Sequence, residues 1–158
     1  MKKAIVLSTW KHGLNANKKA WEILKEKGAA LDAVEQGVMV AESDPEVTSV
    51  GYGGMPDREG NVTTDACIMD HEGNCGGVAF LKNIKNAVAV ARKVMEETPH
   101  HLLVGDGALQ FAKQQGFTEQ NMLTENAKKR WESWMDNHPQ DAMFIDLHNH
   151  DTIGMIAL

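Results

Sequence analysis

The chain has 158 residues and a formal net charge of −6 at pH 7, with an isoelectric point near 5.6. This length can bury the core of one domain, while the acidic balance disfavours nucleic acid and anionic membrane surfaces as partners. No apolar run approaches the roughly 20 residues that a membrane-spanning helix requires.

The N-terminus and the cysteines bear on the compartment. Lys2 and Lys3 precede a short apolar run, Ala4–Leu7, which is too short for the hydrophobic region of a signal peptide. We therefore expect a cytoplasmic protein, or a periplasmic or secreted one if a leader has been removed. Two cysteines, Cys67 and Cys75, do not make a disulfide framework and are predicted to be free thiols.

The first third of the chain predicts one strand and two helices. Apolar and β-branched residues predict a buried strand over Ala4–Thr9. Helical spacing of apolar residues then predicts a helix over Ala16–Lys27, with Asn15 as its N-cap, and a second helix over Ala30–Ser43. We interpret both helices as cover for a sheet.

A glycine-rich segment and a hairpin follow. Thr48–Asp57 contains three glycines, which predict tight turns or a close backbone approach. It lacks the Lys-Ser/Thr ending of a phosphate-binding loop. Strand patterns over Asn61–Met69 and Cys75–Leu81 are joined by a glycine-containing turn, which predicts a hairpin whose turn uses Asp70. If Asp65 is buried, it needs partners that the sequence does not name.

The second half adds helices and one short strand, so the mixed order of elements predicts the α+β class. The predicted elements are a helix over Ala87–Glu97, a strand over Leu102–Val104 and helices over Leu109–Gln115 and Glu119–Asn137. A strand, a glycine turn and a helix also occur in dinucleotide sites. However, Gln110 stands where that motif has its third glycine, so we expect no nucleotide cofactor.

The last thirteen residues centre on the bond between Asp151 and Thr152. His150 and Asp151 lead into Thr152, and the apolar run Ile153–Leu158 predicts the start of a buried strand. A threonine hydroxyl is a poor nucleophile without an adjacent base. Cutting the chain before Thr152 would free an α-amine that titrates near pH ~7.7–8.0 and could take the hydroxyl proton.

Two other interpretations of this stretch remain open. An Asp-Thr pair before a strand also occurs as an ordinary loop ending. Asp146, His148 and His150 alternate, so on a strand they would share one face, an arrangement typical of a metal site. No second ligand cluster has convincing spacing, and we therefore expect neither a metal nor an organic cofactor.

The segment His150–Gly154, followed by an apolar strand, closely resembles the processing site of the glycosylasparaginases (aspartylglucosaminidases), a family of N-terminal nucleophile hydrolases. The resemblance extends over Ile5–Leu158, and its other strong matches are Ser8–Trp10, Ser49–Gly54, Asp65–Asp70 and Leu103–Ala108. It implies a four-layer αββα sandwich, of which this chain would supply about half. Residues 1–151 would be the α-subunit and residues 152–158 the beginning of the β-subunit.

The resemblance also implies the roles of particular residues. Thr152 would cut the chain before itself, assisted by His150 and Asp151. It would then attack the side-chain amide of a glycosylated asparagine and release a glycosylamine and aspartate through an acyl-enzyme. Trp10 would line the substrate pocket, and Ser49 would hydrogen-bond near the nucleophile. The family commonly has an aromatic residue at the position of His12, so the pocket wall departs from the pattern there.

Length is the chief departure from the family. Family precursors carry roughly as much chain again after the threonine, and that β-subunit segment supplies the groups that clamp the substrate. We expect activity only with such a segment, in an (αβ)2 assembly, and none if the protein ends at Leu158. Plant-type asparaginases or isoaspartyl peptidases are the nearest alternative, but they usually have glycine before the threonine. A non-catalytic fragment that assembles with a partner chain is another.

Overall fold

The computed structural model describes residues 3–138 and 152–158, so the predicted loop or weak strand over Ala142–Leu147 lies outside the described residues. Within them the chain forms helices and strands of mixed order, as the α+β prediction requires. In chain order these are β1 (Val6–Ser8), α1 (Gly13–Lys25), α2 (Ala30–Ser43), β2 (Thr63–Met69), β3 (Cys75–Lys82), α3 (Ala87–Glu97), β4 (Leu102–Val104), α4 (Gly105–Gln114), α5 (Glu125–Asn137) and β5 (Met155–Ala157). No helix in this part of the chain has the length and apolar character to cross a bilayer.

The larger sheet has the strand order β2-β3-β4. The predicted hairpin is confirmed, since β2 and β3 pair antiparallel from Thr63 opposite Lys82 to Met69 opposite Cys75. β4 runs parallel to β3, as a strand reached through the crossover helix α3 must. Helices α3 and α4 pack against this sheet and build the main core. Its largest fully buried side chains are Leu81, Ile84, Val78, Val90 and Val94.

The smaller sheet joins the two ends of the chain. β1 and β5 pair antiparallel, with Val6 opposite Ala157 and Ser8 opposite Met155. Alternate side chains point to opposite faces of a strand, and here one face packs against α1 and α2. The other face is open, so Ile156 is 65% exposed. The prediction of buried strands at both ends is therefore wrong, because alternate residues of β1 and β5 are exposed and the others are only half-buried.

The predicted starts of three helices also differ from the structure. α1 begins at Gly13, with His12 rather than Asn15 as its N-cap. Gly13 packs so closely on Ser8 that a side chain there would collide. α4 begins directly after β4, so the predicted glycine turn is its first turn. α5 begins only at Glu125, where the Thr124 hydroxyl accepts a hydrogen bond from the Ala127 N–H at 3.2 Å.

Local predictions about the hairpin are confirmed. The Asp70 carboxylate serves the turn, accepting from the backbone N–H groups of Glu72 (2.9 Å) and Asn74 (3.0 Å). The hydrogen bond from the Asn74 side-chain amide lowers the pKa of Asp70. Cys67 and Cys75 are free thiols.

Close packing of α3 on β3 depends on Gly76. Replacing Gly76 with Ala is expected to lower the free energy of unfolding by about 1–3 kcal/mol, because the added methyl would collide with the backbone of Ala91 and Met95. Gly107 in α4 is the matched control, since a methyl there meets nothing within 4 Å. Ala at that position should be neutral or stabilise by up to about 1 kcal/mol. Urea unfolding measures both, and equal stabilities would contradict the packing described.

Candidate active site

A cleft of about 780 Å³ is bounded by segments of both sheets and by α2. Its wall is formed by Val34, Val38 and Glu42 of α2, by Ser49, Val50, Gly51, Gly54 and Met55 of the glycine-rich segment, by Val62 and β2 residues 63–67, by Val78, Ala79, Val88 and Leu102, and by Thr152, Ile153, Gly154 and Met155. This volume falls in the usual range for small-ligand sites, roughly 300–1,000 Å³.

Thr152 is exposed and lines the cleft. Its position is set by the strand that follows it, because the pairing of β1 and β5 continues to Thr9 and Gly154. The Thr9 backbone N–H donates to the Gly154 carbonyl oxygen (2.9 Å), and the Gly154 N–H donates to the Thr9 hydroxyl oxygen (2.8 Å). These two bonds hold the backbone two residues from Thr152, which lies in the cleft wall three residues before β5 begins.

Ser49 lies in the same cleft wall as Thr152. The segment that follows Ser49 is fixed by backbone hydrogen bonds from Tyr52 to the Glu42 carbonyl oxygen (2.8 Å) and from Gly53 to the Met122 carbonyl oxygen (2.9 Å). Gly51 and Gly53 have φ angles of 65° and 84°, which confirms the tight turns predicted for this segment. The structure thus brings the two sequence-predicted residues into one site.

The same segment is tied to α5. The Arg130 side chain donates to the Gly53 carbonyl oxygen (3.2 Å). Further along α5, the Arg58 guanidinium lies 5.2 Å from the centre of the Trp134 ring. The rings of Trp134 and His138 stack with their centres 4.6 Å apart. α5 therefore supports the glycine-rich segment that contributes to the cleft wall.

Trp10 does not line this cleft. It follows Thr9 directly, has a φ of 60° and is 47% exposed. A non-glycine residue in the left-handed region is uncommon and strained, so the turn from β1 into α1 is held in an unusual conformation one residue from the β1–β5 pairing. His150 and Asp151 lie outside the described residues. The roles predicted for these three residues remain predictions.

Asp65, which also lines the cleft, is exposed rather than buried. Its carboxylate accepts a hydrogen bond from the Phe80 N–H at 2.7 Å. This contact lies where the register of β2 and β3 shifts between Thr64 and Ala66. The Asp65 side chain thus takes the place of a ladder hydrogen bond at a bulge. The sequence alone could not name the Phe80 N–H as its partner.

Glu42 is a cleft residue that sequence reasoning missed. Its side chain is 5% exposed, and its Oε1 atom accepts a hydrogen bond from the Val88 N–H at 3.0 Å. Burial raises the pKa of Glu42 to about 8, against the lowering effect of the backbone N–H groups of Val88 and Ala87, and the negative charge of Glu35 adds to the rise. The signal in the sequence is its spacing, because Glu42 continues the stripe of Val34 and Val38 at every fourth residue.

The described part of the cleft carries no cationic side chain. Within residues 3–138 and 152–158, no group of three or more His, Cys, Asp or Glu side chains could hold a metal ion. The metal-site alternative built on Asp146, His148 and His150 lies outside those ranges. What the described site offers chemically is a threonine hydroxyl, other hydroxyls and two carboxyl groups around a mostly apolar cleft.

Residues 6–158 match the model of the family described as asparaginase, and the chain belongs to that family. Among similar proteins, the N(4)-(β-N-acetylglucosaminyl)-L-asparaginase of Elizabethkingia miricola is 57% identical over 156 residues, which cover 99% of this chain and 46% of that protein. The enzymes of the same name from Mus musculus and Rattus norvegicus are both 36% identical, over 98% of this chain and 53% of their own lengths. The chain therefore spans about half the length of these relatives.

The hydrogen bond between Thr9 and Gly154 can be tested directly. Replacing Thr9 with Val removes the acceptor of the Gly154 N–H, and we expect a loss of about 0.5–1.5 kcal/mol together with faster hydrogen exchange at that amide. Thr9→Ser keeps the hydroxyl and should retain protection. If Gly154 exchanges equally in all three proteins, the bond does not hold the start of β5.

The buried carboxyl of Glu42 should make stability depend on pH. Its pKa is about 8 in the folded chain and near 4.5 in the unfolded chain, so the folded chain keeps this proton up to a higher pH. The wild type should therefore lose stability relative to Glu42→Gln as the pH rises from about 4.5 to about 8, by on the order of a few kcal/mol in total. Urea unfolding across this window measures the difference. Glu46→Gln, an exposed control, should follow the wild type.

Proposed function

We propose that this chain is part of a self-processing amidohydrolase that cleaves the glycosylamide bond of N4-glycosylated asparagine. The observation that carries the proposal is that Thr152 lines the cleft just before strand β5, within a chain of the asparaginase family. The name and the 57% identity of the Elizabethkingia relative support the substrate class. Because the chain covers about half of such relatives, the activity belongs to the complete polypeptide.

Self-processing is the first step. The Thr152 hydroxyl attacks the carbonyl carbon of Asp151, and the peptide C–N bond breaks as the acyl group passes from nitrogen to oxygen. Water then hydrolyses the ester, leaving a carboxylate on Asp151 and a free α-amine on Thr152. His150 and Asp151 assist this step by transferring protons or by holding the scissile bond strained.

Hydrolysis of the substrate is the second step. The new α-amine takes the proton of the Thr152 hydroxyl, and the oxygen attacks the side-chain carbonyl of the glycosylated asparagine. The protonated glycosylamine leaves, and an aspartyl ester forms on Thr152. Water hydrolyses this ester, which releases aspartate. Ser49 hydrogen-bonds near the nucleophile. Trp10, which lies outside the described cleft, lines the part of the substrate pocket that forms in the complete polypeptide. No metal or organic cofactor takes part.

The proposal extends to a four-layer αββα sandwich in which residues 1–151 are the α-subunit and residues 152–158 begin the β-subunit. Two observations support it. Each sheet packs on helices, and the smaller one leaves Ile5, Leu7 and Ile156 exposed on its open face. Contiguous exposed apolar surface usually marks a contact with further protein. The segment corresponding to the rest of the relatives would cover this face, within an (αβ)2 assembly.

Intact-mass analysis of the natural polypeptide under denaturing conditions tests the first step. We expect one species that ends at Asp151 and another that begins at Thr152. Thr152→Ala should give a single uncut chain without hydrolase activity, whereas the same change at the exposed Thr118 should leave cutting intact. Cutting that persists in Thr152→Ala would refute the proposed nucleophile.

The substrate class needs a separate assay. The processed protein should release aspartate from a glycosylated asparagine faster than from an isoaspartyl dipeptide. The reverse preference would indicate a plant-type asparaginase or isoaspartyl peptidase. If the intact protein hydrolyses neither substrate, it is a non-catalytic chain that only assembles with partners.

A further inference from the structure

Glu42 joins three parts of the cleft wall. It lies in the last turn of α2, and its Oε1 atom accepts from the Val88 N–H in the first turn of α3 (3.0 Å). Its backbone carbonyl oxygen accepts from the Tyr52 N–H (2.8 Å). Gly51 packs so closely on the Glu42 backbone that a side chain at Gly51 would collide with it. α2, α3 and the segment that carries Ser49 therefore meet at this residue.

The second carboxyl oxygen of Glu42 faces no partner. Oε2 is buried, and it has no hydrogen-bond partner among the described residues, although the side chain lines the cleft. Since Oε1 already accepts a hydrogen bond, Oε2 is the oxygen on which a neutral Glu42 would carry its proton.

The charged groups around Glu42 favour this neutral form. Glu35 on α2 is the charged neighbour that acts on it. Arg92 on α3 is already engaged, because it pairs with Glu35 at 2.8 Å and with Asp32 at 2.7 Å. Across the cleft, β2 contributes another carboxylate, Asp65. The described neighbours of Glu42 therefore supply negative charge but no uncommitted cation to compensate an ionised carboxylate.

We propose that Glu42 is a positioning residue of the proposed hydrolase: its carboxyl ties the end of α2 to the first turn of α3, its backbone carbonyl holds the segment Ser49–Gly54, and together these contacts shape the Thr152 cleft. This inference rests on the proposed function. Ionisation would place an unpaired negative charge in the wall. Because such a charge is costly away from water, the carboxylate would turn toward solvent and give up its hydrogen bond to the Val88 N–H, which would loosen the junction of α2 with α3 in the wall. The rate of hydrolysis should therefore fall as Glu42 ionises.

The pH profile of the processed natural polypeptide tests this role. Below about pH 8, the α-amine of Thr152 governs the rise of kcat/KM with pH. Above about pH 8, the pKa of Glu42, kcat/KM of the wild type should fall by roughly tenfold for each further pH unit. Glu42→Gln keeps an acceptor and a donor but cannot ionise, so its kcat/KM should stay within about twofold over the same range. Glu46→Gln, exposed and four residues away, should retain the alkaline fall.

Hydrogen exchange provides a readout that does not need activity. The Tyr52 amide donates to the Glu42 backbone carbonyl, which does not titrate, and serves as an internal control. The Val88 amide donates to the Glu42 carboxyl, so its protection in the wild type should drop between about pH 7 and about pH 9, after correction for intrinsic exchange. In Glu42→Gln it should stay constant. Constant protection in the wild type, or an alkaline fall in kcat/KM that is identical in Glu42→Gln, overturns the inference. A protein that shows the exchange change but hydrolyses neither substrate refutes the proposed function and leaves the wall-holding role of Glu42 supported.

Discussion

The pairing of β1 with β5 is the constraint on which the rest of the site depends. It joins residues 145 positions apart, with Thr9 and Gly154 exchanging hydrogen bonds. Closing so long a loop costs entropy, which the packing of α1 and α2 on the inner face of these strands offsets. Met155 contacts both hydrophobic clusters. Packing of β5 against the core thus positions Thr152, the proposed nucleophile, which precedes this strand.

The cleft wall is built by a different means, which is close backbone approach. Gly51 allows the glycine-rich segment to rest directly on the end of α2, and Gly76 allows α3 to rest on β3. The carboxyl of Glu42 then links α2 to the first turn of α3. Two helices and a loop meet at this residue, and a change in the charge of its carboxyl acts on the link between α2 and α3.

The sequence predicted the elements whose signals are local. Helices α2 and α3 and strand β4 have the predicted bounds, because helical spacing and proline or turn residues mark their ends. The start of α1 was missed because its N-cap, His12, makes no side-chain capping hydrogen bond, so no local signal marks the boundary. The role of Glu42 was missed because a carboxyl in an apolar stripe indicates nothing until its burial is known. Thr152 was found from its neighbours in sequence, whereas the cleft around it required the fold.

The β1–β5 pairing also determines how a processed protein would respond to dilution. Before a cut at Thr152, β5 is tethered to its partner strand, and their association does not depend on protein concentration. After the cut the two strands belong to separate chains, and their association obeys mass action. The free energy of unfolding would then rise with protein concentration, in proportion to RT times the logarithm of that concentration. Backbone hydrogen bonds between Ile5 and Leu158 and between Thr9 and Gly154 would help to keep the two chains together at low concentrations.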